Sequence, residues 1–174
     1  ITLANTISKR GGSACFIIRE PMPSTLECIL ENGHMYKILS TNQSTPIINN
    51  DGLPHSNWLP VSQEFDALQT VDTIRGSDFD WIIVDHYALD DQWHRIIKQY
   101  CKKIFVIDDL MDRKIYASFV LNQNFGLTEH AYNLLKNKNC RSLLGPKYAL
   151  LRPEFSNWRP FSLRRRLRPQ LKRV

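Results

Sequence analysis

Three residues with reactive side chains follow directly after an apolar segment in the middle of the chain. Residues 80–84 are rich in β-branched side chains, and Asp85, His86 and Tyr87 come next. The segment predicts a strand buried on both faces, as in parallel sheets. Open α/β sheets bind ligands at the carboxyl ends of their strands, so a carboxylate, an imidazole and a phenol here predict a ligand site. The alternative is that Asp85 and His86 only cap the next helix.

A second apolar segment ends in acids at the same predicted edge. Residues 103–107 run directly into Asp108 and Asp109. Because the carboxyl ends of parallel strands meet at one edge of a sheet, we expect these acids near Asp85. We assign the pair a structural role, in which it caps the following turn and forms a salt bridge with Arg113.

The elements that must hold these residues alternate regularly between strand and helix patterns. This alternation predicts right-handed β-α-β units and an α/β, Rossmann-like fold, a parallel sheet with helices on both faces. Residues 1–10 have helical spacing but no capping residue before them, which is typical of the middle of a helix, and residues 41–60 predict a long loop. The predicted strands are 14–19, 36–39, 80–84, 103–107, 119–123 and 142–144, and the other predicted helices are 23–32, 61–75, 90–100 and 129–136.

The positive charge of the chain is concentrated at its end. The net charge is +6, and residues 164–174 contribute six cations and no acid, so the remainder has no net charge. A basic tail can bind phosphate chains without specificity. The neutral body argues against nucleic acid as a partner and favours a solvated helix or linker for the tail.

The cysteines and the hydropathy pattern both favour a cytoplasmic protein. No apolar stretch approaches the ~20 residues of a membrane helix, so we expect no membrane span. The four cysteines are widely scattered and lack the spacing of zinc sites, which predicts reduced thiols. They are Cys15, Cys28, Cys101 and Cys140.

Several longer stretches of the chain resemble one known protein family. They are DWIIVDHYALDDQWHR, KKIFVIDDLMDR, LNQN and LLGPKYALLRPEF, with FIIRE and the pair Gly33 and His34 in the earlier part. In these stretches the chain is very similar to the UDP-2,4-diacetamido-2,4,6-trideoxy-β-L-altropyranose hydrolases of pseudaminic acid biosynthesis. It is also similar to spore-coat polysaccharide proteins.

The resemblance implies part of a GT-B-type protein, in which two Rossmann-like domains face each other across a cleft. Residues 1–155 would form the N-terminal, sugar-side domain with its first strand missing. Residues 156–174 would be a basic linker towards a missing C-terminal nucleotide-binding domain. The general-base histidine of the family would lie before residue 1, which implies that this chain alone is inactive. A missing central strand would also leave 14–19 and 80–84 unpaired with each other.

The family reaction is hydrolysis of the bond between the anomeric carbon of the sugar and the diphosphate of UDP. The resemblance implies that Tyr87 is catalytic, either by bonding the substrate or by positioning the water. It implies that His86, Gln123, Asn124 and Asp85 bind the UDP-sugar substrate. No metal or other cofactor is expected, because helix N-termini and loop amides can hold the phosphates.

Each of these residues also has a structural interpretation. Tyr87 could simply pack at a strand end, and His86 could be a buried histidine bonded to the backbone. Asp85 could brace its loop. Gln123 and Asn124 could form a turn.

The chain departs from the family pattern at three positions. Where the family usually has a histidine, a cysteine and an aspartate, this sequence has Ile115, Ala117 and Ser118. We expect these positions near the cleft, where the change would affect substrate specificity.

Two other classes of function stay open at this point. One is the acceptor domain of a GT-B glycosyltransferase. The other is a non-catalytic remnant or interaction module that is held to a partner by the basic tail.

Overall fold

The computed structural model describes residues 1–41 and 52–167, and its strands form two parallel sheets. The smaller sheet pairs β1 (Cys15–Arg19) with β2 (Met35–Leu39). The larger sheet has the order β3-β4-β5-β6. Its strands are β3 (Trp81–Val84), β4 (Lys103–Ile107), β5 (Phe119–Asn122) and β6 (Arg141–Leu144).

Within the described residues, five α-helices and three short 3-10 helices connect and flank these strands, which confirms the predicted Rossmann-like α/β fold. The α-helices are α1 (Thr2–Lys9), α2 (Pro23–Glu31), α3 (Gln63–Ile74), α4 (Asp91–Ile97) and α5 (Pro153–Arg166). The 3-10 helices are Ser56–Trp58, Glu129–Tyr132 and Pro146–Tyr148.

The predicted lack of pairing between β1 and β3 is confirmed for the described strands. Among the described strands, β1 pairs only with β2 and β3 pairs only with β4. The strands β1 and β3 are therefore not hydrogen-bonded to each other. The predicted domain boundary between residues 155 and 156 falls inside α5.

Local sequence signals set several element ends. The Asp90 carboxylate accepts the backbone N–H of Gln92 and caps α4, as predicted. Gly11 follows α1 with a φ of 85° and Gly33 follows α2 with a φ of 74°, a conformation that costs glycine little. Pro23 opens α2 at its first position, where its missing N–H is not needed.

The prediction that β3 is buried on both faces is wrong. Val84 is only 4% exposed, but Trp81 is 41% exposed and Ile83 is 40% exposed. Val84 belongs to a core cluster with residues of α3 and α4, so those helices cover its face of the strand. The side chains of Trp81 and Ile83 lie on the other face of the strand, which is less completely covered.

The predicted helix over 129–136 is also wrong beyond its first turn. A 3-10 helix spans Glu129–Tyr132, residues 133–135 form a turn, and Lys136 then forms an isolated parallel bridge with Ile115. The N–H of Ile115 donates to the carbonyl of Leu135, 2.6 Å away. These contacts use backbone groups that a continuing helix would need. Helix α4 likewise ends at Ile97 rather than at residue 100.

Two predicted segments lie partly outside the described residues. These are residues 42–51 of the long loop and residues 168–174 of the basic tail. Within the described part, α5 carries Arg164, Arg165 and Arg166 in its last turn and is exposed along almost its whole length. No described helix combines the length and apolar character required to span a membrane. All four cysteines are free thiols, and that of Cys140 is buried, which raises its pKa to about 11.

Asp66 of α3 connects the smaller sheet to the helices that cover the larger one. Its Oδ2 accepts from Nε of Arg19 in β1 at 3.0 Å, and its Oδ1 accepts from Nε1 of Trp93 in α4 at 2.8 Å. Nη2 of Arg19 also donates to Gln69 in α3. These polar contacts join β1 to α3 and α3 to α4, whereas β1 and β3 are not paired with each other.

Because of His94 in α4, we expect the protein to lose stability in mild acid. The side chain is fully buried, and its Nδ1 accepts from the N–H of Tyr116 while Nε2 has no hydrogen-bond partner among the described residues. Burial, with a smaller contribution from the charge of Arg113, lowers the pKa of His94 to about 3. Between pH 6.5 and pH 3 the unfolded chain therefore binds a proton that the folded chain excludes, and the free energy of unfolding falls as pH falls.

Between pH 7 and pH 5 we expect this group to lower the free energy of unfolding by about 2 kcal/mol. Urea unfolding at both pH values measures the effect, and His94→Gln should remove that part of the pH dependence. An equal pH dependence in the variant would show that other groups cause it.

Candidate functional site at the carboxyl edge

Tyr87 lies in the loop after β3, at the carboxyl edge of the larger sheet, and is partly exposed. A hydrogen bond to the Asp109 carboxylate is the main cause that raises the pKa of Tyr87 to about 12, and desolvation adds to it. The phenol is therefore protonated at neutral pH. A protonated phenol can donate one hydrogen bond, and its oxygen can also accept one from a ligand or a water molecule.

Asp109 and Asn124 bring the ends of β4 and β5 to this tyrosine. Asp109 follows β4 and is exposed, and its backbone carbonyl accepts from Nδ2 of Asn124 at 3.1 Å. The N–H of Asn124 donates to Oδ1 of Asn122 at 3.0 Å. Asn124 therefore shapes a turn and also joins the Tyr87 cluster through Asp109.

His86 is partly buried, and the N–H of Ala88 donates to its Nδ1 at 3.1 Å. Burial is the main cause that lowers the pKa of His86, and the charge of Arg113 also lowers it, while Asp66 and Asp85 act in the opposite direction. The ring is therefore neutral at pH 7. Since Nδ1 accepts a hydrogen bond, the proton lies on Nε2, and His86 can offer a donor but not a basic nitrogen.

Asp85 is exposed at the end of β3, and its carboxylate makes no hydrogen bond or ion pair with another described residue. The predicted bracing of the loop is therefore not seen in this part of the chain. Partial desolvation is the main cause that raises the pKa of Asp85, and Asp109 also raises it. Asp85 can accept hydrogen bonds from a ligand.

Gln123 has a different partner from the rest of the predicted site. It is exposed, and its Oε1 accepts from the N–H of Leu150 at 3.1 Å. The side chain thus holds the segment that leads to α5. The hydrogen bond with Leu150 gives Gln123 a structural role in addition to the predicted contact with a ligand.

A buried network supports the loop that carries Tyr87. Nη1 of Arg113 lies 2.8 Å from Oδ1 of Asp108, and its Nε donates to the carbonyl of Leu89 at 3.0 Å. The guanidinium carbon lies 5.5 Å from the centroid of the Tyr87 ring. The hydroxyl of Tyr132 donates to the other oxygen of Asp108 at 2.6 Å. The predicted salt bridge is confirmed for Asp108, while Asp109 takes no part in it.

The three positions that depart from the family pattern do not all lie where we expected. Ile115 and Ala117 are buried in the core cluster, in the segment that enters β5. In a parallel sheet this amino end lies opposite the carboxyl edge that holds Tyr87. The N–H of Ser118 donates to the carbonyl of Ile104. The expected position near the cleft is therefore wrong for Ile115 and Ala117, whose apolar side chains fill the core.

Two residues that the sequence did not single out also reach Tyr87. The rings of His55 and Trp58 lie with their centroids 5.6 Å from that of Tyr87 and 4.9 Å from each other. Nε2 of His55 is 3.6 Å from a carboxylate oxygen of Asp112. Both rings come from a polar segment without periodicity, so the sequence carries no signal that would place them at this edge.

No family model matches this chain, and no curated protein matches it. Membership of the hydrolase family is therefore a prediction from the sequence motifs alone.

Proposed function

We propose that this edge binds the sugar of a UDP-linked diacetamido sugar, as part of a hydrolase that cleaves the bond between the anomeric carbon and the diphosphate. The observation that carries the proposal is that residues from three neighbouring strand ends lie together at this edge. Tyr87 follows β3, Asp109 follows β4 and Asn124 follows β5: Asp109 is close enough to raise the pKa of Tyr87, and Nδ2 of Asn124 donates to the backbone carbonyl of Asp109. The mixture of hydrogen-bond donors and acceptors at this edge suits hydroxyl and acetamido groups.

The charges at this edge favour the sugar over the diphosphate. Arg113 is the cation in contact with the Tyr87 ring, and its charge is already paired with the buried Asp108. The nearby acids Asp85 and Asp109 would repel an anion. The diphosphate of the substrate would then be held by another part of the complete protein.

The proton states limit which groups could drive the chemistry. A water molecule that attacks the anomeric carbon needs a base. The Tyr87 phenol has a pKa of about 12, and Nδ1 of His86 already accepts a hydrogen bond. These two residues therefore suit the positioning of water and sugar. These roles agree with the expectation that the general base of the reaction is neither Tyr87 nor His86.

The proposal is tested by titration of the chain, followed by NMR of its backbone and side-chain amides. Three probes separate the sources of binding: the UDP-linked sugar, the same sugar without UDP, and UDP alone. We expect shifts at Tyr87, Asp109 and Asn124 with both sugar-containing probes. Absence of these shifts would contradict a sugar site. Release of UDP at the rate of a typical enzyme would show that a competent base lies within the chain.

Tyr87→Phe is expected to weaken sugar binding about three- to tenfold while it leaves the free energy of unfolding within about 1 kcal/mol of wild type. The substitution removes only the hydroxyl, so the ring keeps its contacts with Arg113. Tyr100→Phe, which changes an exposed tyrosine before β4, is the matched control. Equal affinities of Tyr87→Phe and wild type would assign Tyr87 to packing.

A further inference from the structure

We propose that Trp58, supported by His55 and Tyr87, forms an aromatic surface that binds the apolar face of the sugar ring. This inference rests on the proposed function and deepens it, since it names a residue that would recognise the pyranose itself. Trp58 is 55% exposed, although its ring centroid lies only 5.6 Å from that of Tyr87.

The backbone around Trp58 is held in place while its ring stays at the surface. The next residue, Leu59, is 4% exposed, and Val61 is completely buried in the core cluster. Trp58 closes a 3-10 turn in which its N–H donates to the carbonyl of His55 at 3.0 Å. An anchored tryptophan loses little conformational freedom when it binds a ligand, which favours affinity.

His55 links this aromatic surface to the polar cluster. Its ring lies between 4.9 and 5.6 Å from the other two ring centroids, and its Nε2 faces Asp112 at 3.6 Å. Asp112 in turn contacts Nη1 of Arg113 at 3.2 Å. The network that braces Tyr87 therefore also orients the aromatic surface.

The combination of chemistries at this place fits a pyranose. Such a ring has hydroxyl and acetamido groups around its rim and C–H groups on its faces. The π-face of an aromatic ring carries partial negative charge, so it attracts the weakly positive C–H groups. Beside the Trp58 ring, the hydroxyl of Tyr87 and the carboxylate of Asp109 supply partners for the polar rim. Binding sites of this kind join apolar surface to a few polar groups that orient the ligand.

The direct test follows the indole N–H resonances of the chain during the same titration. Four tryptophans give four resonances, and single Trp→Phe variants assign them. We expect the Trp58 resonance to move with the UDP-linked sugar and with the sugar alone. The Trp158 resonance should not move, although Trp158 is even more exposed at 65%. An equal response of Trp58 to UDP alone would overturn the assignment to the sugar.

Affinity measurements on variants complete the test. Trp58→Ala should weaken sugar binding about tenfold, Trp58→Phe should weaken it less because a ring is kept, and Trp158→Ala should leave it unchanged. An unchanged affinity of Trp58→Ala, with Asn124 still shifted by the sugar, would overturn this inference and leave the proposed function intact. If neither Trp58 nor Asn124 responds in the wild-type chain, both fail. The indole titration of the wild-type chain decides the matter even where Trp58→Ala does not fold.

Discussion

Replacement of Arg113 by methionine is expected to lower the free energy of unfolding by about 3–5 kcal/mol. The guanidinium is nearly inaccessible, and it pairs at 2.8 Å with Asp108, which is also buried. Methionine keeps much of the volume but leaves the Asp108 carboxylate without its counter-charge. It also removes the donor to the carbonyl of Leu89. A carboxylate that is buried without a partner is costly, because water no longer solvates it.

Urea unfolding of the wild type and the variant at pH 7 measures this effect. Arg75→Met is the matched control, since Arg75 forms an exposed pair with Asp72 at 3.3 Å and should contribute less than about 1 kcal/mol. Addition of Asp108→Asn to the Arg113 variant should recover part of the loss by removing the unpaired charge. A loss for Arg113→Met as small as that of the control would show that water reaches Asp108.

Asp66→Asn is expected to lower the free energy of unfolding by about 3 kcal/mol and to loosen the smaller sheet in particular. The amide keeps the shape of the carboxylate but not its charge. The Arg19 guanidinium would then lose its ion pair with Asp66, in which the two groups lie 2.9 Å apart. Nε of Arg19 and Nε1 of Trp93 now donate to the two carboxylate oxygens of Asp66. In the variant, one of these donors would face the amide N–H group or a weaker acceptor. Because β1 does not pair with β3, these side-chain contacts contribute to the connection between the sheets.

Hydrogen exchange distinguishes this local effect from general destabilisation. We expect the amides of β1 and β2 to exchange faster in Asp66→Asn, while those of β4 and β5 change less. Asp72→Asn, on the exposed side of the same helix, should leave both groups of amides unchanged. Uniform acceleration of all four strands would mean that the two sheets unfold as one unit.

The order and type of most elements follow from the sequence because their signals are local. β-branched runs mark β3 and β4, Asp90 caps α4 through its neighbour Gln92, and Gly11 ends α1 in a conformation that suits glycine. The sequence also placed Asp85, His86 and Tyr87 at the carboxyl end of a strand. Such signals need only a few neighbouring residues, so they survive without knowledge of the fold.

The tertiary structure alone decided which of these residues act together. Asp109 meets Tyr87 rather than Arg113, and Trp58 reaches the same ring from a segment without any periodic pattern. Ile115 lies in the core rather than at the cleft. Its backbone pairs with that of Lys136, inside the segment where the sequence predicted a helix. Each of these outcomes depends on contacts between residues that are distant in the chain. Burial and backbone pairing across such distances override local propensity, and no pattern within a single segment records them.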